Sequence, residues 1–212
     1  MVEYDTNVAE GLRMAHQSTM LALGTPAPDF ALPDVSTGKL VKLADFHERH
    51  ALLVIFLCAH CPYVVHVLPE LVRLGADYPQ RGVGIVGITS NDIAQYPQDA
   101  PIHMAALARK EGLTFPILYD ASQSVAKAFT AACTPDFFLF DGGTCLAYRG
   151  QIDASRPSRG PGRPANGALD GNDIRAALDA VHAGWPANPD QRPSIGCNIK
   201  WKPGTEPSYF SH

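Results

Sequence analysis

The sequence predicts an α/β fold: a central mixed β-sheet flanked by helices, with a β-hairpin in front and a docking tail behind. Three observations carry this. From Ala51 to Ala131, apolar runs of strand length alternate with stretches of helical periodicity. Two apolar strands then flank Gly142-Gly143, the mark of an antiparallel hairpin. A chain of 212 residues, 46% of them hydrophobic, is long and apolar enough to bury a core without disulfide staples.

The elements follow in order. Residues 1–23 read as a polar-to-amphipathic leader with a short helix near Ala9 to Ala22. GTPAPDFALPD carries three prolines and cannot be one helix. Asp29 to Leu32 and Leu40 to Leu43, separated by the turn residues Ser36 to Lys39, make the front hairpin. ALLVIFL, Ala51 to Leu57, is a continuous apolar strand buried on both faces. From Pro62 to Tyr78, Val64, Val65, Leu68, Leu71, Val72 and Leu74 recur at helical spacing, with Pro69 expected to kink the helix. Val83 to Asn91 is the next strand, Ile102 to Glu111 a helix stopped by Gly112, and Pro116 to Asp120 a short strand. Ser122 to Ala131 is a helix with Ser122 as its cap. Phe137 to Asp141 and the CLAYRGQID segment form the closing hairpin. Residues 154–169, rich in Pro, Gly and Arg, are a surface loop; Asn172 to Ala183 is the last helix. In the Pro-rich tail, SIGCNIKW is an apolar island expected to dock on the domain. The expected division is a leader over 1–23, one domain over 24–183 and a tail over 184–212.

Composition excludes several classes. The net charge is −4 with no basic stripe, which argues against nucleic acid. The N-terminus lacks a basic head followed by an apolar core, and the longest apolar run, Ala51 to Ala59, is about half of a membrane span. The expectation is a soluble cytoplasmic protein with no membrane partner. Five cysteines, an odd number, argue against a fully paired secreted framework.

The stretch LCAHCPYVVHVLPEL places Cys58 at the end of a buried strand and Cys61 at the start of a helix. The free N–H groups and positive dipole of a first helical turn stabilise a thiolate. Lowering a thiol pKa by about 2 units from about 8.5 raises its ionised fraction at pH 7 from roughly 3% to roughly 75%. Intrinsic nucleophilicity falls about eightfold at the same time, so the gain in attack is only about threefold. The larger effect is that such a thiolate leaves readily, which makes the disulfide more oxidising. His60, between the cysteines, pushes the same way when protonated. Three readings compete: a redox dithiol, half of a metal site, or two packed thiols. Metal binding needs about two more soft ligands, and Cys133, Cys145 and Cys197 are isolated, while His66 is more simply a solvated or packed residue. A C-x-x-C between strand and helix is the usual setting of thiol redox chemistry, which leads.

With these residues in view, the chain from about Gly24 to Ala183 resembles the thioredoxin-like superfamily. Cys58-Ala59-His60-Cys61 at a helix start, Pro69 within that helix and Thr134-Pro135 before FFLFD carry the resemblance. It implies a thioredoxin-like fold with a cis-proline at Pro135 facing the dithiol. The opening GTPAPDFALPD is similar to the entry of the peroxiredoxin branch. CAHCPYV, ACTPDFFLFD, YRGQID and SIGCNIKWKPG look characteristic of an AhpC/TSA (peroxiredoxin-like) group that carries a thioredoxin-type C-x-x-C. Typical peroxiredoxins have Thr-x-x-Cys-Pro; here Cys61-Pro62 matches its end and Cys58 stands in place of the Thr. Pro135 stands where they carry an Arg. Thioredoxins have Trp before the first cysteine; this chain has Leu57.

The resemblance implies a thiol–disulfide oxidoreductase. Cys58 attacks a disulfide-bearing protein or small molecule, Cys61 resolves the mixed disulfide, and an external dithiol supplies electrons. His60 tunes the potential. Thr134 and Pro135 shape the groove, with the Thr134 backbone pairing to the incoming chain as an added strand. No cofactor and no metal is expected. The alternatives are a peroxidase with Cys61 peroxidatic and Cys58 resolving, or a non-catalytic redox-sensing or metal-binding module. Candidate auxiliary residues are Cys133, next to Thr134; Tyr63, bordering the motif; Glu70, a proton carrier if buried and otherwise a solvated group; Arg149, a source of positive potential; and Cys197, a third thiol in the tail.

Overall fold

The computed structural model describes residues 15–158 and 164–210. The central sheet has five strands in the order β6-β5-β4-β8-β9: β4 is Ala51–Phe56, β5 Val83–Thr89, β6 Ile117–Tyr119, β8 Asp136–Asp141 and β9 Leu146–Gly150. β4, β5 and β6 run parallel, and β8 and β9 are antiparallel, so the sheet is mixed. Helix α1, Pro62–Asp77, links β4 to β5; α2, Pro101–Glu111, links β5 to β6; α3 is Ser124–Ala128 and α4 is Asn172–His182. β2, Ala31–Pro33, and β3, Leu40–Lys42, pair as the front hairpin.

β4 explains why the core has two halves. All six of its residues are buried, and alternate side chains leave on opposite faces. Leu53 and Ile55 join one cluster with Leu68 and Leu71 of α1, Met104 of α2 and Ile174 and Leu178 of α4. Leu52, Val54 and Phe56 join the other with Phe129, Phe138, Phe140 and Trp201. Each fully buried side chain of this size contributes about 1.5–3 kcal/mol.

Three local expectations are corrected. Residues 9–14 of the expected leader helix lie outside the described residues. Its Ala15–Gln17 part is strand β1, because these residues pair antiparallel with Ile195 to Cys197. The helix expected over Ser122 to Ala131 is only α3, with Gln123 in the left-handed region (φ 63°) at its cap. The buried Asp120 carboxylate accepts bonds from the Ala126 N–H, Ser90 Oγ and Ser122 Oγ, which winds the chain tightly before the helix starts. Glu70 is not solvated: it is 0% exposed and its two carboxylate oxygens accept from Arg73 Nε and Arg175 Nε. Two guanidiniums hold it as a clamp between α1 and α4, a structural use of the charge rather than proton carriage.

The tail is built into a second sheet of order β1-β10-β7, in which β7 is Cys133–Thr134 and β10 is Ile195–Asn198. Cys197 lies opposite Thr134 and Asn198 opposite Cys133. The close approach depends on Gly196, where a Cβ would lie 2.0 Å from the Thr134 carbonyl oxygen. Asn91 ties the tail to the domain: its Oδ1 accepts from the Lys200 N–H at 2.9 Å.

Candidate active site

β4 ends at Phe56, and the Leu57 N–H still bonds the Ile88 carbonyl at 3.0 Å, so the chain leaves the sheet at Cys58. Cys61 is the residue before α1 and Pro62 its first helical position, a place where proline's missing N–H costs nothing. Across from both lies Thr134, joined to Pro135 by a cis peptide bond. The Thr134 hydroxyl is 3.3 Å from Cys58 Sγ, and the Thr134 carbonyl accepts from Cys61 Sγ at 3.0 Å. One residue therefore contacts each sulfur with a different group.

The two thiols are electrostatically unlike. Burial, then the hydrogen bond and charge of Cys61, push Cys58 well up; Asp99 adds to this and Thr134 opposes it. Burial pushes Cys61 up too. Hydrogen bonds from Cys197 and Cys58, with the backbone N–H groups of Cys197 and Val64, overcome it and hold Cys61 well below an ordinary thiol. Cys58 therefore holds its proton more tightly than Cys61 does. Both are essentially inaccessible, at 1% and 0% exposure. The open edge of the motif is Ala59 and His60, both half-buried.

The third sulfur is that of Cys197, 2.8 Å from Cys61 Sγ. This brings the tail cysteine into the dithiol site. It also corrects the expected groove: the Thr134 backbone edge, expected to receive a substrate strand, is already paired with β10.

Asp99 escaped the sequence reading. It is fully buried; its Oδ1 accepts from the Ala59 N–H at 2.8 Å and its Oδ2 from Asn91 Nδ2 at 2.7 Å. His60 Nδ1 sits 2.7 Å from the same Oδ2, out of line for a good hydrogen bond, and its ring stacks on Tyr96 at 5.6 Å. Asp99 thus pins the turn between the cysteines. It lies forty positions from Ala59 with no motif around it, only the Pro101 helix start just beyond, so local pattern carries no signal for it. Cys58, His60 and Asp99 offer ligand atoms within 4.8 Å of one another. Each Asp99 oxygen already accepts a hydrogen bond, one from the Ala59 N–H and one from Asn91 Nδ2.

The remaining candidates spread out. Tyr63 is buried and lines a narrow cleft with Pro135, His66, Phe137 and Ile195. His66 bonds Ser155 Oγ at 2.9 Å rather than a cysteine. Arg149 is engaged by Gln191 at 2.8 Å, and Glu70 by its arginines. Cys133 is buried, its Sγ 3.7 Å from the Pro135 carbonyl, and burial followed by the charges of Asp136 and Cys61 keeps it a thiol.

Asp136, next to the cis-proline, is 0% exposed, and burial pushes its carboxyl up to about 8. The folded chain then holds a proton that the unfolded chain releases near pH 4. Stability is full below about pH 4 with respect to this group and falls as pH rises toward 8, at up to about 1.4 kcal/mol per pH unit. Urea denaturation from pH 5 to 8 is expected to show this slope reduced in Asp136→Asn. Parallel profiles for the two proteins would contradict the assignment.

Comparisons with known proteins show what the chain as a whole is similar to. The Redoxin family profile matches residues 22–160. A crystal structure of an uncharacterized conserved protein from Geobacillus kaustophilus is 51% identical, with TM-score 0.82, over 89% of this chain and 97% of that one. The "Putative peroxiredoxin Rv2521" of Mycobacterium tuberculosis is 30% identical over 115 residues, 54% of this chain and 68% of that protein. The "Thiol-disulfide oxidoreductase ResA" of Geobacillus thermodenitrificans is 28% identical over 125 residues, 59% of this chain and 67% of that protein. Solved thioredoxin-family structures share the fold. The chain has a thioredoxin-like fold and belongs to the Redoxin family.

Proposed function

We propose that the protein is a thiol–disulfide oxidoreductase whose redox pair is Cys58 and Cys61. The observation that carries this is the unequal dithiol itself: two sulfurs between strand and helix, both contacted by Thr134, with Cys58 holding its proton more tightly than Cys61.

Catalysis begins with a proton shift inside the pair. Cys58 passes its proton to Cys61, whose S–H the Thr134 carbonyl accepts, and the Thr134 hydroxyl supports the new Cys58 thiolate. Cys58 attacks a substrate disulfide reached over the Ala59–His60 corner, forming a mixed disulfide and releasing one substrate thiolate, which takes the Cys61 proton. Cys61 then attacks the Cys58 sulfur, the second substrate thiolate leaves, and Cys58–Cys61 is oxidised. An external dithiol reverses the last bond and closes the cycle. The substrates are disulfide-bearing proteins or small molecules, and the odd cysteine count suits a reducing, cytoplasmic compartment.

A second reading, a peroxidase, is favoured by one observation: the donors converge on Cys61 rather than Cys58. Cys61 would attack a peroxide oxygen, becoming a sulfenic acid while the alkoxide or hydroxide takes a proton. Cys58 would then condense with it, releasing water.

The deciding experiment is steady-state reduction of a disulfide substrate and of hydrogen peroxide by the wild type, Cys58→Ser and Cys61→Ser. Disulfide reduction that falls to the uncatalysed level in Cys58→Ser, with little peroxide turnover in the wild type, is the expected result. Peroxide turnover exceeding disulfide reduction, with sulfenic acid trapped at Cys61 in Cys58→Ser, would move the assignment to the peroxidase.

A further inference from the structure

Cys197 has no role in the cycle above, yet its sulfur is 2.8 Å from Cys61 Sγ. We propose that Cys197 is a third redox sulfur of this site, and that the oxidised protein exchanges its Cys58–Cys61 disulfide for a Cys61–Cys197 disulfide. The inference rests on the reading of Cys58 and Cys61 as the redox pair and extends it.

The placement is built. Cys197 is paired in register opposite Thr134, the residue that contacts both sulfurs of the dithiol. Gly196 lets the tail strand lie against the Thr134 carbonyl with no room for a Cβ. Beyond it, the Lys200 N–H is held by Asn91, which also holds Asp99, and Gln123 Nε2 donates to the Lys200 carbonyl at 2.9 Å. The tail strand therefore occupies the edge where a substrate strand would pair, and it presents a cysteine there. Cys61 and Cys197 are both buried, so their exchange needs no access from solvent.

The step balances. The Cys197 sulfur attacks Cys61 Sγ, the Cys58–Cys61 bond breaks, the Cys61–Cys197 bond forms, and the proton of Cys197 ends on the departing Cys58 sulfur. No net oxidation occurs; the oxidising equivalents come from the substrate disulfide that first oxidised the pair. The site also times the step. The hydrogen bond to Cys61 is the chief cause that keeps Cys197 protonated, followed by burial and the Cys61 charge, while Lys200 favours the thiolate. Once Cys61 is in a disulfide, its hydrogen bond and charge no longer favour the Cys197 thiol, while burial still does and Lys200 still favours the thiolate. The outcome returns Cys58 as a thiol and staples the tail to the active-site helix. Cys133 does not compete, because its sulfur is turned to the Pro135 carbonyl.

The test is time-resolved disulfide mapping. The 212-residue chain is oxidised with excess oxidised glutathione, quenched in acid, alkylated and digested. Cys58–Cys61 is expected first, followed by a Cys61–Cys197 peptide. In Cys58→Ser, diamide is expected to remove two thiols and give Cys61–Cys197 directly; in Cys197→Ser only Cys58–Cys61 should form. Wild type that stops at Cys58–Cys61, with Cys61 and Cys197 still alkylatable in oxidised Cys58→Ser, overturns the inference and leaves the redox pair standing. If neither disulfide forms in the wild type, the inference and the redox reading fall together. The wild-type and Cys58→Ser arms decide the matter without relying on the folding of the tail variant.

Discussion

Gly196→Ala is expected to destabilise the chain by about 3 kcal/mol and to detach its C-terminal strand. The added methyl would sit 2.0 Å from the Thr134 carbonyl oxygen and 2.6 Å from its carbon. Both are backbone atoms at the cis-proline step, so no rotamer change relieves the overlap. Either β10 moves away from β7 or the Thr134–Pro135 segment shifts; each breaks the pairing of Cys197 with Thr134. Urea denaturation measures the cost. Tryptophan fluorescence locates it, because Trp201 in the tail is buried while Trp185 is already 71% exposed. A red shift at low urea would report the tail leaving before the domain unfolds. Gly143→Ala is the control, since a Cβ there meets only the Asp141 side chain, at 3.3 Å, and should change stability by no more than about 0.5 kcal/mol. Equal costs for the two substitutions would show that the tail strand is not seated against the Thr134 backbone.

Asp99 carries the second large effect, on both stability and reactivity. Asp99→Ala strands the Ala59 N–H and the Asn91 amide in a buried site. At about 1–3 kcal/mol for each unsatisfied donor, the loss is expected to reach about 3 kcal/mol. The turn between Cys58 and Cys61 then loses its anchor, and disulfide reduction should fall more than stability alone explains at temperatures where the chain remains folded. Asp99→Asn separates charge from anchoring. It retains an acceptor oxygen but removes a negative charge that pushes Cys58 up. The pH at which Cys58 becomes alkylatable, followed by mass-resolved iodoacetamide labelling, is expected to move down in Asp99→Asn. An unchanged labelling profile would leave Asp99 as a purely structural anchor.

The chemistry of the site was legible where it is local. A strand buried on both faces must be continuously apolar, and ALLVIFL is; a helix that packs on one side must be apolar every three or four residues, and the segment after Cys61 is. The junction between those two patterns is where Cys58 and Cys61 lie, so the motif and its setting are read from one short stretch. Thr134-Pro135 was singled out through the family resemblance rather than through local pattern. The resemblance to known families added the expectation that these two stretches face each other. Burial of single polar residues was harder to read. Glu70 sits at a position of α1 that a helical wheel leaves open, and only the arrival of Arg175 from α4 makes it an interior clamp.

By itself the sequence determined the mixed sheet, the order of its elements and the presence of a dithiol at a strand–helix junction, because each follows from side-chain periodicity over a few residues. Only the tertiary structure decided which sulfur holds its proton more tightly, which carboxylate holds the turn and what fills the edge beside Thr134. Those outcomes depend on groups brought from far along the chain, Asp99 to Ala59 and Cys197 to Cys61 across 136 positions. A thiol's ionisation is set by the donors and charges within a few ångströms of it, and sequence distance carries no information about them.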